Sequence, residues 1–159
     1  MKKIGWKEKV SFPEFGLVNV PAKVDTGART SVLHCKHIEI FKRYRKPYVR
    51  FVLLDPEMPE YNGQEFVMPF HKERKVKNSF GQEENRIVIE TTVELFNKTY
   101  PIEISLRDRS NMEFPMLLGR SFIRRNFLVD VSRSNMSARY KIKKLKKEKQ
   151  SENRGSLQK

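Results

Sequence analysis

An acid placed directly after an apolar strand segment constrains this chain more than any other feature. Residues 23–33 read K-V-D-T-G-A-R-T-S-V-L. A carboxylate at the end of a buried strand is costly unless it is paired, hydrogen-bonded or used. The small residues that follow Asp25, namely Thr26, Gly27 and Ala28, predict a tight turn in which backbone comes close to something. A second apolar run, M-L-L-G-R-S-F-I at residues 116–123, ends at Gly119, and Arg120 opens a short helix.

Strand signals dominate the remainder. Residues 16–24 alternate loosely and are rich in valine, and residues 37–41 (H-I-E-I-F) and 48–54 (Y-V-R-F-V-L-L) read as consecutive strands. Residues 86–96 and 99–106 flank a hairpin turn expected at Asn97-Lys98. Residues 115–118 are a short apolar run, and inside the domain only 121–125 predict a helix. Short strands separated by turn signals predict an all-β barrel or sandwich, not a βαβ protein. Residues 55–81 carry Pro56, Pro59, Gly63, Pro69 and Gly81, and they predict a long surface loop or a projecting hairpin. After Ser132 the pattern decays. One domain is therefore expected over residues 1–138, followed by a basic, disordered or partly helical tail at 139–159.

The 159 residues suit one such domain, and eleven Phe can build its core. The formal net charge is +14, with +7 in residues 139–159 and +7 in the domain, so the excess is not a tail effect alone. A basic domain attracts anionic partners: nucleic acid, anionic lipid or an acidic peptide. No apolar run approaches a membrane span. The N-terminal M-K-K-I-G-W-K-E-K-V lacks the apolar region of a secretory signal, and the lone Cys35 excludes an internal disulfide. Together these predict a cytoplasmic location.

Metal and nucleotide chemistry find little support. His34, Cys35 and His37 are close in sequence, but strand residues alternate faces, so at most Cys35 and His37 share one. A catalytic zinc normally takes three protein ligands, and H-E-x-x-H is missing. No G-x-x-x-x-G-K-[ST] loop is present. Cys35 has histidine neighbours but no local signature of a triad.

D-T-G-A early and an apolar-apolar-Gly-Arg turn about ninety residues later resemble the retroviral-type aspartic proteases, the retropepsins. Longer stretches extend the likeness: I-G-W at 4–6, residues 23–34, L-R-D-R-S-N-M-E-F-P-M-L-L-G-R at 106–120 and F-L-V-D-V-S-R-S at 127–134. They are similar to a bacterial retropepsin-like family often labelled "ATP-dependent zinc proteases". Its better-understood branch is the RimB-like peptidases, associated with RimK-type glutamate ligases that add oligoglutamate to a ribosomal protein. The resemblance covers residues 4–134. It implies an acid-protease barrel, half of a pepsin-type enzyme, with one short C-terminal helix and an aspartic endopeptidase activity. Despite the label, the residues predict no metal and no cofactor.

An aspartic protease needs two carboxylates sharing one proton, since like charges ~3 Å apart cannot both ionise. This chain has one D-T-G turn, so a dyad requires a homodimer with one Asp25 from each copy. Thr26 would bond across the axis, Gly27 would permit close approach, and Ala28 would leave room for substrate. Gly119 and Arg120 would brace the loop from behind. Where retroviral enzymes carry an acid after D-T-G-A, this chain has Arg29. Arg120 is therefore expected to pair with another acid, for which Asp108, Glu113 and Asp130 are candidates. Arg29 is expected to grip a substrate carboxylate, with Arg74, Arg107 and Arg109 as further rim residues. The substrate expected is an acidic peptide or a glutamate-extended protein. A flap is expected at residues 76–86, with Ser79 and Gly81 at its tip, and residues 55–63 are its rival. In a second reading the chain is a catalytically silent basic module that docks on RNA or the ribosome, with the tail contributing.

Overall fold

The computed structural model describes residues 1–77, 80–108 and 113–157. In chain order the strands are β1 (Lys2–Ile4), β2 (Lys7–Phe12), β3 (Leu17–Asp25), β4 (Ser31–Arg43), β5 (Lys46–Leu53), β6 (Glu65–Pro69), β7 (Lys72–Lys77), β8 (Glu83–Leu95), β9 (Lys98–Arg107), β10 (Met116–Gly119) and β11 (Phe127–Val129). Helix α1 spans Arg120–Asn126 and helix α2 spans Met136–Leu157.

Six strands close a barrel in the order β10, β3, β2, β8, β9, β4, with β4 pairing back onto β10. Closure leaves no free edge among these six, which removes the usual hazard of open sheets. Two strands are longer than the barrel needs. β4 carries β5 and β6 as a wing on its far half, and the N-terminal part of β8 carries β7. The alternation of β9 (K-T-Y-P-I-E-I-S-L-R) sends Ile102, Ile104 and Leu106 inward. Phe12, Phe15, Phe51 and Phe66 pack edge to face or tilted at one side of the core. Phe96, Tyr100, Phe122, Phe127 and Tyr140 pack together at another. Each fully buried aromatic contributes roughly 1.5–3 kcal/mol.

Three sequence expectations shift. The β8–β9 register pairs Leu95 with Lys98, so the two-residue turn is Phe96-Asn97 rather than Asn97-Lys98. Both turn residues have positive φ, 54° and 59°, as a type I′ turn requires. Phe96 accepts that conformation because its ring is buried against Phe127 and Tyr140. Next, β4 bulges between Lys36 and Glu39 with His37 at φ 57°, so Cys35 points into the core and His37 is exposed. They do not share a face. The third shift concerns the tail. Of the two states expected there, disordered or partly helical, the helical one is present, and it starts earlier, at Met136, so the expected boundary falls inside its first turn.

A buried carboxylate explains where that helix starts. Glu8, 1% exposed, accepts the N–H groups of Gly5, Met136 and Ser137, each at 2.9 Å. Two of these are unpaired donors of the α2 N-terminus, where negative charge is also favoured by the helix dipole. Ser137 Oγ accepts the Phe96 N–H at 2.8 Å, and Lys141 Nζ reaches Glu94 Oε1 at 2.9 Å. From Ile142 to Gly155 the helix is exposed. Glu8→Ala would strand three donors, and it should lower the free energy of unfolding in urea by about 3 kcal/mol. Amide exchange in the first turn of α2 should accelerate alongside.

Candidate active site

The turn at Asp25 is built by a parallel pairing. β10 runs beside β3 with Leu118 opposite Val24 and Gly119 opposite Asp25. On the other side of β3, the Val24 N–H bonds the Trp6 carbonyl at 2.9 Å. The chain then reverses: Gly27 N–H donates to Asp25 Oδ1 at 3.1 Å and Ala28 N–H to the Asp25 carbonyl at 3.2 Å. The pairing resumes past the turn, with Arg120 N–H on the Ala28 carbonyl and Ser121 N–H on that of Arg29. A Cβ at Gly27 would stand 3.3 Å from Asp25 Oδ1 and crowd the carboxyl.

Gly119 and Arg120 support this turn from behind. A Cβ at Gly119 would lie 2.6 Å from the Thr30 carbonyl carbon, so only glycine lets the two backbones touch. The Gly119 N–H bonds the buried Ser31 Oγ at 2.9 Å. Arg120 does not take an acid as its partner. Its Nη1 donates to the Gly27 carbonyl at 3.0 Å, and among the described residues no carboxylate pairs with it. The three acids proposed for it are elsewhere. Asp130 accepts from Ser132 N and Oγ, Asp108 faces His34, and Glu113 is exposed. With Arg29 in place of an acid, the guanidinium reaches the turn's own backbone. Asp25 is left half-buried, and Thr26 and Gly27 are exposed.

Beside the turn lies a groove of about 900 Å³ that contains Arg29, Thr30, Arg74 and Arg120. Arg124 and Arg125 of α1 line it too, and the sequence reading missed both. The available signal was spacing: four residues separate Arg120 from Arg124 and Ser121 from Arg125, which places each pair on one helix face. Arg29, Arg124 and Arg125 make no ion pair among the described residues. Arg74 faces Glu103 at 3.9 Å, and Lys72, 2.6 Å from Glu103, is the main reason that carboxyl lies below its ordinary range.

The other expected rim residues separate. Arg107 shares Glu84 with Arg86, at 3.5 and 3.6 Å, away from the groove lining. Strand register explains the placement, because Arg74 opposes Arg86 and the pairing of Ile87 with Leu106 keeps Arg107 close enough for its charge to act on Arg86. Burial, and then the charge of Arg107, lowers the Arg86 pKa. Arg109 and Ser79 lie outside the described residues. Gly81, at φ 77°, sits in the link between β7 and β8, which form the antiparallel hairpin expected there. Its rival, residues 55–63, is folded onto the barrel. Met58 and Tyr61 pack on the core, and Asn62 bonds the Phe15 carbonyl.

The remaining titratable cluster does not fit a metal. His34 is fully buried with Nε2 2.9 Å from Asp55 Oδ1, and Lys36 Nζ is 3.1 Å from the same oxygen. A cation already occupies that carboxylate, while Cys35 and His37 point to opposite sides. Among the described residues no three His, Cys, Asp or Glu side chains converge on a metal position.

A family model described as the RimB-like, retropepsin-like aspartic endopeptidase matches residues 3–150. Among curated proteins, a probable alpha-L-glutamate ligase of Shewanella pealeana is 36% identical over 135 residues, which are 82% of this chain and 29% of that protein. A probable alpha-L-glutamate ligase of Desulfotalea psychrophila is 36% identical over 129 residues, 81% of this chain and 28% of that one. The chain thus spans less than a third of the curated relatives it matches. Among solved structures, a Legionella pneumophila protein of unknown function superimposes with a TM-score of 0.70 at 26% identity, covering 86% of this chain and 98% of that one.

Two predictions follow from the buried groups. Burial pushes the Cys35 thiol up to about 12, so in native protein at pH 8 it should resist iodoacetamide and react only in denaturant. The hydrogen bond from His34, and after it that from Lys36, holds the Asp55 carboxyl below its ordinary 3.8. A depressed folded-state pKa stabilises the native protein above the unfolded value and loses that effect as pH falls through the folded one. The Tm of Asp55→Asn should therefore lie below that of the parent at neutral pH, and the gap should close below pH 3.8.

Proposed function

The chain belongs to the RimB-like family of retropepsin-like aspartic endopeptidases, and from that premise we propose that it hydrolyses peptide bonds as a homodimer. The observation that carries this reading is the Asp25 turn itself. It is held rigidly from behind by Gly119 and Arg120, yet it exposes Thr26 and Gly27. A rigid, outward-facing turn suits pairing with its twin on a two-fold axis. The two Asp25 carboxyls then share a proton. One takes a proton from water, which attacks the peptide carbonyl carbon, and the other protonates the carbonyl oxygen. The β7–β8 hairpin serves as the flap that excludes water.

Charge supports an acidic substrate. Five arginines outnumber Glu14, Glu90 and Glu103 on the groove lining, and Arg29, Arg124 and Arg125, unpaired among the described residues, present guanidinium groups suited to carboxylates. The relatives named as glutamate ligases carry a stretch similar to this barrel. A peptidase that trims glutamate-extended protein would reverse what such a ligase adds. Among the described residues no helix is long and apolar enough to cross a membrane, and the buried thiol suits a cytoplasmic setting. The exposed lysines of α2 favour a second reading, a silent module bound to RNA or the ribosome, which predicts no cleavage of any peptide.

Asp25→Asn should abolish cleavage of oligoglutamylated and plain acidic peptides, followed by mass spectrometry, while sedimentation still reports a dimer. Cleavage that survives the substitution would end the proposal. Arg29→Ala should lower kcat/KM for acidic peptides by about tenfold or more, the worth of one charge-assisted hydrogen bond, and spare neutral ones. Equal losses on both would remove Arg29 from substrate recognition.

A further inference from the structure

The β4–β5 hairpin is a basic, aromatic arm that the peptidase reading leaves unused. β4 runs thirteen residues from Ser31, beside the Asp25 turn, to Arg43, up to roughly 40 Å of strand. Among the described residues its far end pairs with β5 alone, and the connecting turn is Tyr44-Arg45. Residues 41–50 read F-K-R-Y-R-K-P-Y-V-R, five cations without an acid. Lys42, Arg43, Arg45 and Lys46 are exposed, and none has an ion-pair partner among the described residues.

One face of the arm is an aromatic platform. Phe41 and Tyr48 are cross-strand partners whose rings stack at 6.1 Å and 29°. Arg43 lies 5.7 and 5.6 Å from the two ring centres, and Arg50 lies 4.5 Å from that of Phe41. Arg50 is ion-paired with Glu39 and Glu65 at 3.5 and 3.3 Å, so the platform's free positive charge is that of Arg43, beside rings that offer stacking surface.

The turn at the tip is strained without a packing reason. Tyr44 and Arg45 have φ of 50° and 66°, in a two-residue turn where Asn-Gly is the low-cost choice. Phe96 bears similar strain at the β8–β9 turn, but its ring is buried. Tyr44 is 92% exposed. A merely solvated surface gains nothing from a strained, exposed tyrosine, whereas strain of this kind gathers at sites that bind.

We propose that this arm docks a single-stranded nucleic acid, with Lys42, Arg43, Arg45 and Lys46 on phosphates and the rings of Tyr44, Phe41 and Tyr48 on bases. An acidic peptide or an anionic lipid headgroup would satisfy the cations and leave the exposed Tyr44 ring without a partner. A base supplies a π-face whatever its identity, so binding is tolerant of sequence and depends on salt. The site is separate from the Asp25 groove and from α2.

Fluorescence anisotropy with a labelled twelve-nucleotide single-stranded RNA, across a salt series, tests this. Tyr44→Ala should weaken binding about fivefold or more while leaving the salt slope unchanged, since it removes stacking and no charge. Arg43→Glu with Arg45→Glu should weaken it at least tenfold and flatten the log–log salt slope by about 1.4, the share of two phosphate contacts. Tyr44→Asn with Arg45→Gly should raise Tm, relieving the turn, and still lose RNA. Lys146→Glu with Lys147→Glu in α2 should cost less than the hairpin reversal, Asp25→Asn should cost nothing, and a DNA strand of the same sequence should bind alike. Unchanged Tm and near-ultraviolet dichroism would certify the fold of Tyr44→Ala. RNA affinity unaffected by Tyr44→Ala, or lost chiefly through α2, would overturn the proposal. So would hairpin variants that release oligoglutamate or phosphatidylserine vesicles but not RNA.

Discussion

The contact between Gly119 and the backbone at Thr30 and Ser31 is the constraint from which the rest of the molecule follows. Because no Cβ fits there, β10 can slide into the gap between β3 and β4 and close the six-stranded barrel. The same pairing sets Gly119 opposite Asp25 and delivers Arg120 to the Gly27 carbonyl. Barrel closure and the posture of the carboxyl are thus one structural event. A residue larger than glycine would open the sheet and release the turn together.

A second lock joins the chain ends. Glu8 lies fully inside and spends its charge on three backbone donors, two of them 128 and 129 residues away. A buried carboxylate is tolerable only when its acceptor capacity is used, and here the α2 N-terminus uses it. Gly5 completes the junction, since a side chain there would collide with the Arg133 carbonyl. The Ile4 carbonyl accepts the Asp130 N–H, so the segment leading into β2 is sealed between β11 and β3. The result holds Trp6 against Val24, one residue before Asp25.

The large positive charge is divided by architecture rather than spread evenly. β4 carries the groove arginine environment at one end, near Ser31, and the hairpin cations at the other, with the His37 bulge between. Where arginines crowd, as with Arg86 and Arg107, a single Glu84 bridges them, and Glu103 answers Lys72 and Arg74. Among the described residues Arg29, Arg124 and Arg125 in the groove, and Lys42, Arg43, Arg45 and Lys46 on the arm, have no such partner. Local compensation in the sheet and uncompensated charge at two separate surfaces suits a protein that meets anions in more than one place.

What the amino-acid order determined by itself was local: the strand segments, a short helix over 121–125 within what became α1, and the pairing of a D-T-G-A turn with a Gly-Arg turn in an all-β chain. These are legible because alternation, glycine and turn chemistry act over a few residues. Tertiary structure decided everything that depends on distant neighbours. Arg120 found a carbonyl instead of an acid, and Arg107 went to Glu84 instead of the groove, because register across three strands fixes which side chains meet. The β8–β9 turn moved back one residue because a buried Phe96 could bear a positive φ. The tail became an anchored helix because Glu8, far away in sequence, satisfies its first amides. No window of sequence holds both partners of such contacts, so only the folded chain could choose them.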